Sequence, residues 1–333
     1  MLKLLNKYKK RIIIFSFGYI YILMVLLAPS GYYALTPGEI SSTKDIYNID
    51  DTVFSNDINT TSVYSWHEIS VFQKWIASYQ SDIVIGEQQE TKSDDSLKSK
   101  ISNQSSHDNA VITAYELARM DDEKISIEYA LKGLIVYSFF DNNELMIGDV
   151  ITKINNLEIT TNNYENYLSA LNLYNENAPE KLLNGNYNAT ILRDDELMTI
   201  SIPKETTIIF YPKYEILSTN PTYQGYNPEN VGGPSGGMIQ TLAIYSALRK
   251  IDVSEKIAGT GTMVTNNAKA VGEIGGLQQK FITVRRAKVM YFLIPSSQYD
   301  LIATEAVKYQ NEITVVKVET IFDAISFIRG IKK

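Results

Sequence analysis

The sequence predicts an α+β protein whose N-terminus carries a transmembrane helix. Three observations lead to this architecture. A cluster of basic residues precedes an uncharged, mostly apolar run over residues 12–28. Residues 124–203 contain short apolar runs separated by turn residues, which is typical of a β-domain. From residue 204 to 333, strand patterns alternate with helix patterns, which is typical of an α/β domain.

The amino-acid composition excludes several classes of protein. A chain of 333 residues has room for about two compact domains. Its net charge of −7 argues against a nucleic-acid partner, which selects for a basic face. The chain has no cysteine, so disulfides, cysteine nucleophiles and thiolate metal sites are excluded. It has two histidines, His67 and His107, in unremarkable surroundings, so we expect surface or packing residues rather than a catalytic triad or a zinc site.

The N-terminal segment predicts attachment to a membrane. The apolar run is at the short end of what crosses a bilayer as a helix. Positive charge lies only on its N-terminal side, which places residues 1–11 in the cytoplasm as a basic tail. We therefore expect a single-pass helix over residues 12–31 in contact with membrane lipid, with the rest of the chain outside the cell. The alternative is a cleaved signal peptide, although Pro29 makes the sequence after Ala28 a poor cleavage site.

Residues 32–123 are expected to form a partly helical connector. The polar stretch 41–61 is typical of a loop or a weak edge strand. Apolar residues from Val63 to Ile76 recur at spacings of three and four, which predicts a helix. The charged, serine-rich stretch Glu87–Asn109 fits either a solvated helix or a flexible linker.

The strand-rich segment 124–203 has a readable order of elements. A buried strand is predicted at Gly133–Tyr137, then a turn and strand within 145–154, and a turn at Asn155-Asn156. A helix is expected to begin at Thr160 or Thr161. The strand patterns on either side of Asp194-Asp195-Glu196 predict a hairpin.

This order resembles a PDZ domain. Gly148-Asp149-Val150-Ile151, followed by Ile154-Asn155, is similar to the Gly-Asp-x-Ile-x-x-Ile-Asn segment of that family. The resemblance implies capture of peptide substrates by strand addition at a sheet edge. The usual Pro-Ala step before the Gly-Asp turn is missing here, so the alternative is a structural domain that only positions its neighbour.

A serine in a glycine-rich loop is the first candidate for chemistry. Gly233-Pro234-Ser235-Gly236-Gly237 leads directly into a helical pattern over residues 238–250. Glycines allow a sharp bend, and free N–H groups in such a loop can bind an oxyanion. We therefore expect oxyanion contacts from the backbone at Gly233, Pro234 and Gly236. Alone, the motif also fits a simple turn or a phosphate cradle.

A lysine is the candidate base for this serine. A lysine can remove a hydroxyl proton when desolvation favours its neutral form. Lys280 is the only lysine between Lys269 and Lys288, and it follows a double glycine. The apolar side chains of Ile274, Leu277 and Phe281 are expected to desolvate it.

The rest of the chain is predicted to alternate helices with strands. Helices are predicted at 281–288, 299–309 and 321–328, the last of them amphipathic, and strands at 289–295 and 313–318.

Three motifs together resemble the proteolytic domain of Lon proteases. They are Gly233-Pro-Ser-Gly-Gly237, Gly259-Thr-Gly-Thr262 and Gly275-Gly-Leu-Gln-Gln-Lys280, in this order and spacing. The order of anchor, PDZ-like and Lon-like segments is similar to the single-pass PDZ-plus-Lon-domain proteins of Gram-positive bacteria (the YlbL type).

The Lon resemblance implies roles for individual residues. Ser235 matches the nucleophile, Lys280 the base, and Thr260 a threonine that helps to hold the lysine. The alternative for Thr260 is a strand-end hydroxyl with local hydrogen bonds only. Gly236 stands where alanine is usual and Glu273 where proline is usual, and we expect Glu273 to raise the pKa of Lys280.

The predicted function is an ATP-independent serine endopeptidase with a Ser–Lys dyad and no cofactor or metal. The sequence has no Gly-x4-Gly-Lys-[Ser/Thr] motif, so no ATP site is expected. Substrates should then be unfolded, flexible or membrane-proximal proteins, captured by the PDZ-like domain. Two alternatives remain: a catalytically idle surface scaffold that binds proteins, and an acyltransferase or esterase that uses the same dyad.

Overall fold

The computed structural model of the chain describes residues 2–50, 57–140, 144–161, 186–203, 206–225, 232–263 and 269–331. Within these ranges the side chains of residues 2–8, 10–13, 140 and 207 are not described. The strands are, in chain order, β1 (Pro29–Ser42), β2 (Tyr47–Ile49), β3 (Ile58–Ser70), β4 (Val84–Glu87), β5 (Ser126–Phe140), β6 (Val150–Ile154), β7 (Leu157–Glu158), β8 (Tyr187–Arg193), β9 (Glu196–Ile202), β10 (Thr207–Asn220), β11 (Tyr223–Gly225), β12 (Ile257–Gly259), β13 (Thr262–Met263), β14 (Val271–Gly272), β15 (Tyr291–Pro295) and β16 (Thr314–Val318). The α-helices are α1 (Leu2–Leu27), α2 (Val71–Ala77), α3 (Lys92–Asp121), α4 (Gly237–Leu248), α5 (Leu277–Arg286), α6 (Ala303–Lys308) and α7 (Ile321–Gly330).

Helix α1 is shorter at its C-terminal end than the sequence predicts. The predicted membrane helix extends to residue 31, but α1 ends at Leu27 and β1 begins at Pro29. Proline has no N–H to donate to the preceding turn, and its ring clashes with a continuing helix. Gly31 then takes a φ of +72°, which glycine adopts at little cost. Across the residues that can be surveyed, none of the helices is long and apolar enough to cross a membrane.

The first large sheet joins distant parts of the chain. Its strand order is β16-β15-β12-β3-β1-β4. Strands β16, β15, β12 and β3 run parallel to one another, and β1 pairs antiparallel with β3 and with β4. The segment expected to be a connector therefore supplies three strands to the sheet that the C-terminal segment completes.

Strand β3 replaces a predicted helix. The apolar spacing from Val63 to Ile76 favoured a helix, but Ile58–Ser70 is a strand and the helix α2 begins only at Val71. Position in the sheet overrides the local pattern, because β3 has partners on both sides, β1 and β12. A capping box then starts α2: the Ser70 hydroxyl accepts from Gln73 N, and the Gln73 side chain accepts from Ser70 N.

The serine-rich stretch forms the 30-residue helix α3. The linker alternative is therefore wrong, and the helix is not fully solvated either. Sixteen of its residues are buried, including polar ones from Ser102 to Asp108. Helix α3 packs against α4 and β5. It therefore lies beside the glycine-rich loop that precedes α4.

The second large sheet contains the segment that resembles a PDZ domain. Its order is β10-β5-β6-β8-β9, with β7 paired to β6, and the pairs are antiparallel. The predicted hairpin is confirmed as β8–β9, with Asp194 and Asp195 both at positive φ in its turn. The turn predicted at Asn155-Asn156 is likewise confirmed between β6 and β7. The helix expected after Thr161 lies outside the described residues.

The first and last strands of the second sheet in chain order, β5 and β10, are paired with each other. Strand β10 pairs with β5 along its whole length, from Thr207 opposite Phe140 to Asn220 opposite Ser126. The Asn220 side chain also donates to the Lys124 carbonyl oxygen at 2.7 Å. The predicted boundary at residue 203 therefore falls before the last strand of this sheet. Ser126, at the start of β5, and Asn220, at the end of β10, are therefore neighbours.

The C-terminal order of elements follows the predicted pattern. Helix α4, strand β15, strand β16 and helix α7 lie where the sequence indicates. All twelve residues of α4 are buried. Because burying one large apolar side chain contributes about 1.5–3 kcal/mol, α4 is a firmly packed support for the loop before it.

Candidate active site

The loop before α4 carries Ser235 and is fastened by helix α3. Gly233 has a φ of +82°, which permits the bend. Its N–H donates to the Ser99 carbonyl oxygen at 2.9 Å. The Ser106 hydroxyl donates to the Pro234 carbonyl oxygen at 2.8 Å. Two consecutive residues of the loop are thus tied to α3, immediately before Ser235.

The Lys280 side chain reaches Ser235 from helix α5. The helix starts after Gly276, which has a φ of +68°, and Lys280 lies in its first turns. The Lys280 Nζ atom lies 2.7 Å from Ser235 Oγ. It also donates to Thr260 Oγ1 at 2.9 Å. The two residues proposed from separate motifs are therefore in direct contact.

Thr260 connects Lys280 to the backbone of Ser235. It follows directly after β12, where its N–H donates to the Leu293 carbonyl oxygen at 3.0 Å. Its hydroxyl donates to the Ser235 carbonyl oxygen at 3.0 Å while it accepts from Lys280. Gly261 N also donates to the Ser235 carbonyl oxygen, at 2.8 Å. The Thr260 hydroxyl thus bonds both Ser235 and Lys280 and not only its own strand.

Burial lowers the pKa of Lys280 to about 7. The side chain is only 2% exposed, so its ammonium form loses hydration that the neutral amine does not need. Leu277 and Phe281, which flank it on α5, are buried as expected. The expectation that Glu273 raises this pKa is wrong: Glu273 is exposed, and desolvation alone sets the direction of the shift.

The backbone N–H groups around Ser235 differ in whether they already have a hydrogen-bond acceptor. The Gly233 N–H is already donated to Ser99, and Pro234 has no N–H, so neither fits the expected oxyanion role. Within the described ranges, the N–H groups of Ser235 and Gly236 have no acceptor. Ser235 and Gly236 are both half-buried rather than fully buried.

The glycine at position 236 has a physical explanation. A Cβ atom there would lie 3.1 Å from Gln240 Nε2. The Gln240 Oε1 atom is 3.3 Å from His107 Nδ1, and His107 Nε2 is 2.8 Å from the Tyr223 hydroxyl. His107 is therefore a packing residue in a polar chain behind the loop, whereas His67 pairs with Asp95 at 3.0 Å.

Sequence reasoning did not find Ser99 and Ser106. Both lie on α3, far along the chain from Ser235, and each acts through a backbone contact. The available signal was the density of serine in this stretch. Serines in a buried helix need polar partners, and for the Ser106 hydroxyl that partner is the loop backbone.

Part of the chain that contains this site is similar to known proteins. Residues 221–328 match the family model of the Lon protease (S16) C-terminal proteolytic domain. Ser235, Thr260 and Lys280 all lie inside that range. The match supports a serine peptidase.

Three curated relatives are each similar to about a third of the chain. A Lon protease of Clostridium beijerinckii is 31% identical over 99 residues, which is 30% of this chain and 12% of that protein. A Lon protease of Neorickettsia sennetsu is 30% identical over 95 residues, covering 28% and 11%. Lon protease 1 of Syntrophobacter fumaroxidans is 32% identical over 116 residues, covering 35% and 14%. The chain thus spans roughly an eighth of the length of the relatives it matches.

Proposed function

We propose that this chain is a serine endopeptidase in which Ser235 is the nucleophile and Lys280 the general base. One observation carries the proposal: a buried lysine, with its pKa lowered to about 7, lies 2.7 Å from the hydroxyl of a half-exposed serine. A serine hydroxyl is a weak nucleophile until a base removes its proton during attack. A neutral amine held in this position provides that base.

The geometry supports a two-step mechanism. The Lys280 amine takes the proton from Ser235 Oγ as this oxygen bonds to the carbonyl carbon of the scissile peptide. The N–H groups of Ser235 and Gly236 donate to the oxyanion that forms. Lys280 then returns the proton to the leaving amine, which departs and leaves an acyl-enzyme. Water attacks that ester, and Lys280 again accepts a proton and passes it to Ser235.

Thr260 is a positioning residue in this mechanism. By accepting from Lys280 it fixes the direction of the amine, and by donating to the Ser235 carbonyl it fixes the loop. With one N–H donated to Thr260, the single lone pair of the neutral amine is available to accept the Ser235 hydroxyl proton.

A covalent label tests the nucleophile directly. A fluorophosphonate probe should modify Ser235 in the full-length protein, and Ser235→Ala should abolish labelling while the fold remains intact. Ser65→Ala, at an exposed serine on β3, is the matched control and should label normally. Labelling of the Ser235→Ala variant at the wild-type rate would refute the assignment. Failure of the wild-type protein to react would instead favour the idle scaffold.

Cleavage of a flexible protein distinguishes the peptidase from an esterase or acyltransferase. We propose that peptide hydrolysis needs no ATP, because the sequence contains no phosphate-binding loop of the Gly-x4-Gly-Lys-[Ser/Thr] type. Turnover of a casein-like substrate should be the same with and without ATP and magnesium. Stimulation of several-fold by ATP would contradict this, and hydrolysis of esters but not peptides would favour the esterase.

Substrate capture by the second sheet is a further part of the proposal. It rests on the PDZ resemblance of residues 124–203 and on strand addition as a binding mode. Because Ser126 and Asn220 lie opposite each other, a short glycine–serine linker can span the gap left when the segment between them is removed, provided that labelling of Ser235 shows that the rest of the chain still folds. Cleavage of a protein should then fall more than cleavage of a short peptide. Equal losses would favour a purely structural role.

We also propose attachment to a membrane through the N-terminal apolar run, with the peptidase outside the cytoplasm. Support comes from the basic residues that precede the run and from the large apolar side chains of α1 that are exposed between Ile14 and Leu27. Protease added to intact wall-less cells should digest epitopes placed after residue 35. Protection of those epitopes would contradict the proposed orientation.

A further inference from the structure

Helix α2 and the residues just after it carry a partly exposed cluster of aromatic and aliphatic side chains. Phe72, Trp75 and Tyr79 form a ring-to-ring series, with centroid distances of 6.0 and 5.7 Å. Trp75 is 58% exposed and Tyr79 is 76% exposed. Val71 and Ile76 of the same helix are also exposed. We call these five residues the aromatic patch. Contiguous apolar surface of this kind usually marks an interaction site.

The aromatic patch is continuous with the apolar surface of α1. The Val71 N–H donates to the Ala28 carbonyl oxygen at 3.0 Å, just after the last turn of α1, and α2 packs against α1. Ten large apolar side chains of α1 between Ile14 and Leu27 are exposed. One uncovered apolar surface therefore runs along α1 and ends at the aromatic patch.

The chemistry at this end fits a membrane–water boundary. Tryptophan and tyrosine concentrate there because each has an apolar ring and a polar group that stays hydrated. Lys74 lies among them, with its Nζ atom 3.1 Å from the centre of the Tyr32 ring. A lysine stem can lie along an apolar surface while its ammonium remains near headgroups.

We propose that the aromatic patch lies in the headgroup region of a lipid bilayer and holds the peptidase against the membrane surface. This rests on the membrane attachment proposed above, and it adds a second contact with lipid. The segment after α2 connects this contact to the active site: Gln279, next to Lys280, donates to the Asp82 carbonyl oxygen at 3.4 Å, and Arg286 bonds the Asp82 carboxylate at 3.0 Å. The enzyme would thus cleave flexible segments that emerge close to the bilayer.

Tryptophan fluorescence tests the contact without added labels. The chain has two tryptophans, Trp66 and Trp75, so Trp66→Phe leaves Trp75 as the single reporter. The full-length variant is placed in vesicles of equimolar phosphatidylcholine and phosphatidylglycerol that carry bromine at a shallow or a deep acyl position. We expect loss of most Trp75 emission, with shallow bromine quenching more than deep bromine.

Vesicle flotation separates this inference from the proposal on which it rests. If the protein floats with the vesicles but Trp75 is not quenched, the patch inference is overturned while membrane attachment stands. If it does not float, both fail. If Trp75 is not quenched but crosslinks to a second chain, another copy of the protein covers the aromatic patch. That result also overturns the inference. As a second variant, Trp75→Ser with Tyr79→Ser should float normally yet lose activity on vesicle-tethered substrate and keep it on a soluble peptide.

Discussion

The rate at which Ser235 is acylated should follow the deprotonation of Lys280. Burial lowers the pKa of this lysine from 10.5 to about 7. With that pKa, the neutral fraction rises from about one-tenth at about pH 6 to about nine-tenths at about pH 8, so the rate should rise about tenfold and then level off. A lysine with an ordinary pKa would give a rise of about a hundredfold over the same interval and no plateau below about pH 10.

The assay is single-turnover acylation by an activated ester, followed from acid to alkaline pH. Lys280→Met should remove both the rate and its pH dependence. Lys280→Arg should not restore them, because a guanidinium stays protonated. Lys213→Met, at an exposed lysine on β10, is the matched control and should behave as the wild type. A rate that still climbs steadily at high alkaline pH, or near-normal turnover in a folded Lys280→Met protein, would refute the mechanism.

The same shift predicts how stability depends on pH. The folded pKa lies below the unfolded one, so the unfolded chain binds more protons between about pH 7 and about pH 10.5 and the free energy of unfolding rises with pH in that window. Below it, the buried ammonium costs about 5 kcal/mol at about 1.4 kcal/mol per pKa unit. Lys280→Met lacks this group, so its stability relative to the wild type should fall by up to about 5 kcal/mol as the pH rises from about 6 to about 10.5, which denaturant titrations can measure.

Three further predictions concern residues that position the site or the second sheet. Thr260→Val keeps the shape of the side chain but removes its hydrogen bonds to Ser235 and Lys280. Acylation should therefore slow by on the order of tenfold with KM unchanged. An unchanged rate would show that Thr260 contributes only packing. Ser106→Ala removes the hydroxyl that donates to the Pro234 carbonyl oxygen, so kcat should fall several-fold at constant KM. A lower melting temperature without a change in kcat would contradict the positioning role of Ser106. Asp149→Ala removes a buried carboxylate that accepts from Arg193 at 2.6 and 2.7 Å and from Met146 N at 2.8 Å, and should cost about 2–3 kcal/mol. Hydrogen exchange should locate that loss in the second sheet while labelling of Ser235 persists.

The local elements of the C-terminal segment could be read from the sequence because their patterns are short and self-sufficient. Helix α4 follows a glycine-rich loop and is apolar throughout, and α7 has a capping residue, Thr320, before an amphipathic run. The hairpin at Asp194-Asp195 could likewise be predicted, because aspartates tolerate the positive φ that both turn positions adopt. In each case the residues that specify the element lie within it.

Elements that depend on distant partners were misread. Residues 63–70 have helical spacing but form part of β3, because β1 and β12 offer hydrogen bonds on both sides. Helix α3 looked solvated because its serines and asparagines are polar, yet several of them are buried, and the Ser106 hydroxyl donates to the backbone of a loop more than a hundred residues later. No local pattern carries that information, because the partner that satisfies the polar groups is elsewhere in the chain.

The sequence by itself determined the chemistry available to this protein. A chain with no cysteine and only two histidines restricts a serine nucleophile to a base such as lysine, and the motifs around Ser235, Thr260 and Lys280 indicate which residues are involved. Only the tertiary structure decided that these residues meet, that Lys280 is buried deeply enough to lose its proton near pH 7, and that Gly233 is not free to bind an oxyanion. The reason is that distance, desolvation and hydrogen-bond saturation are properties of packing between segments, and the sequence alone does not specify them.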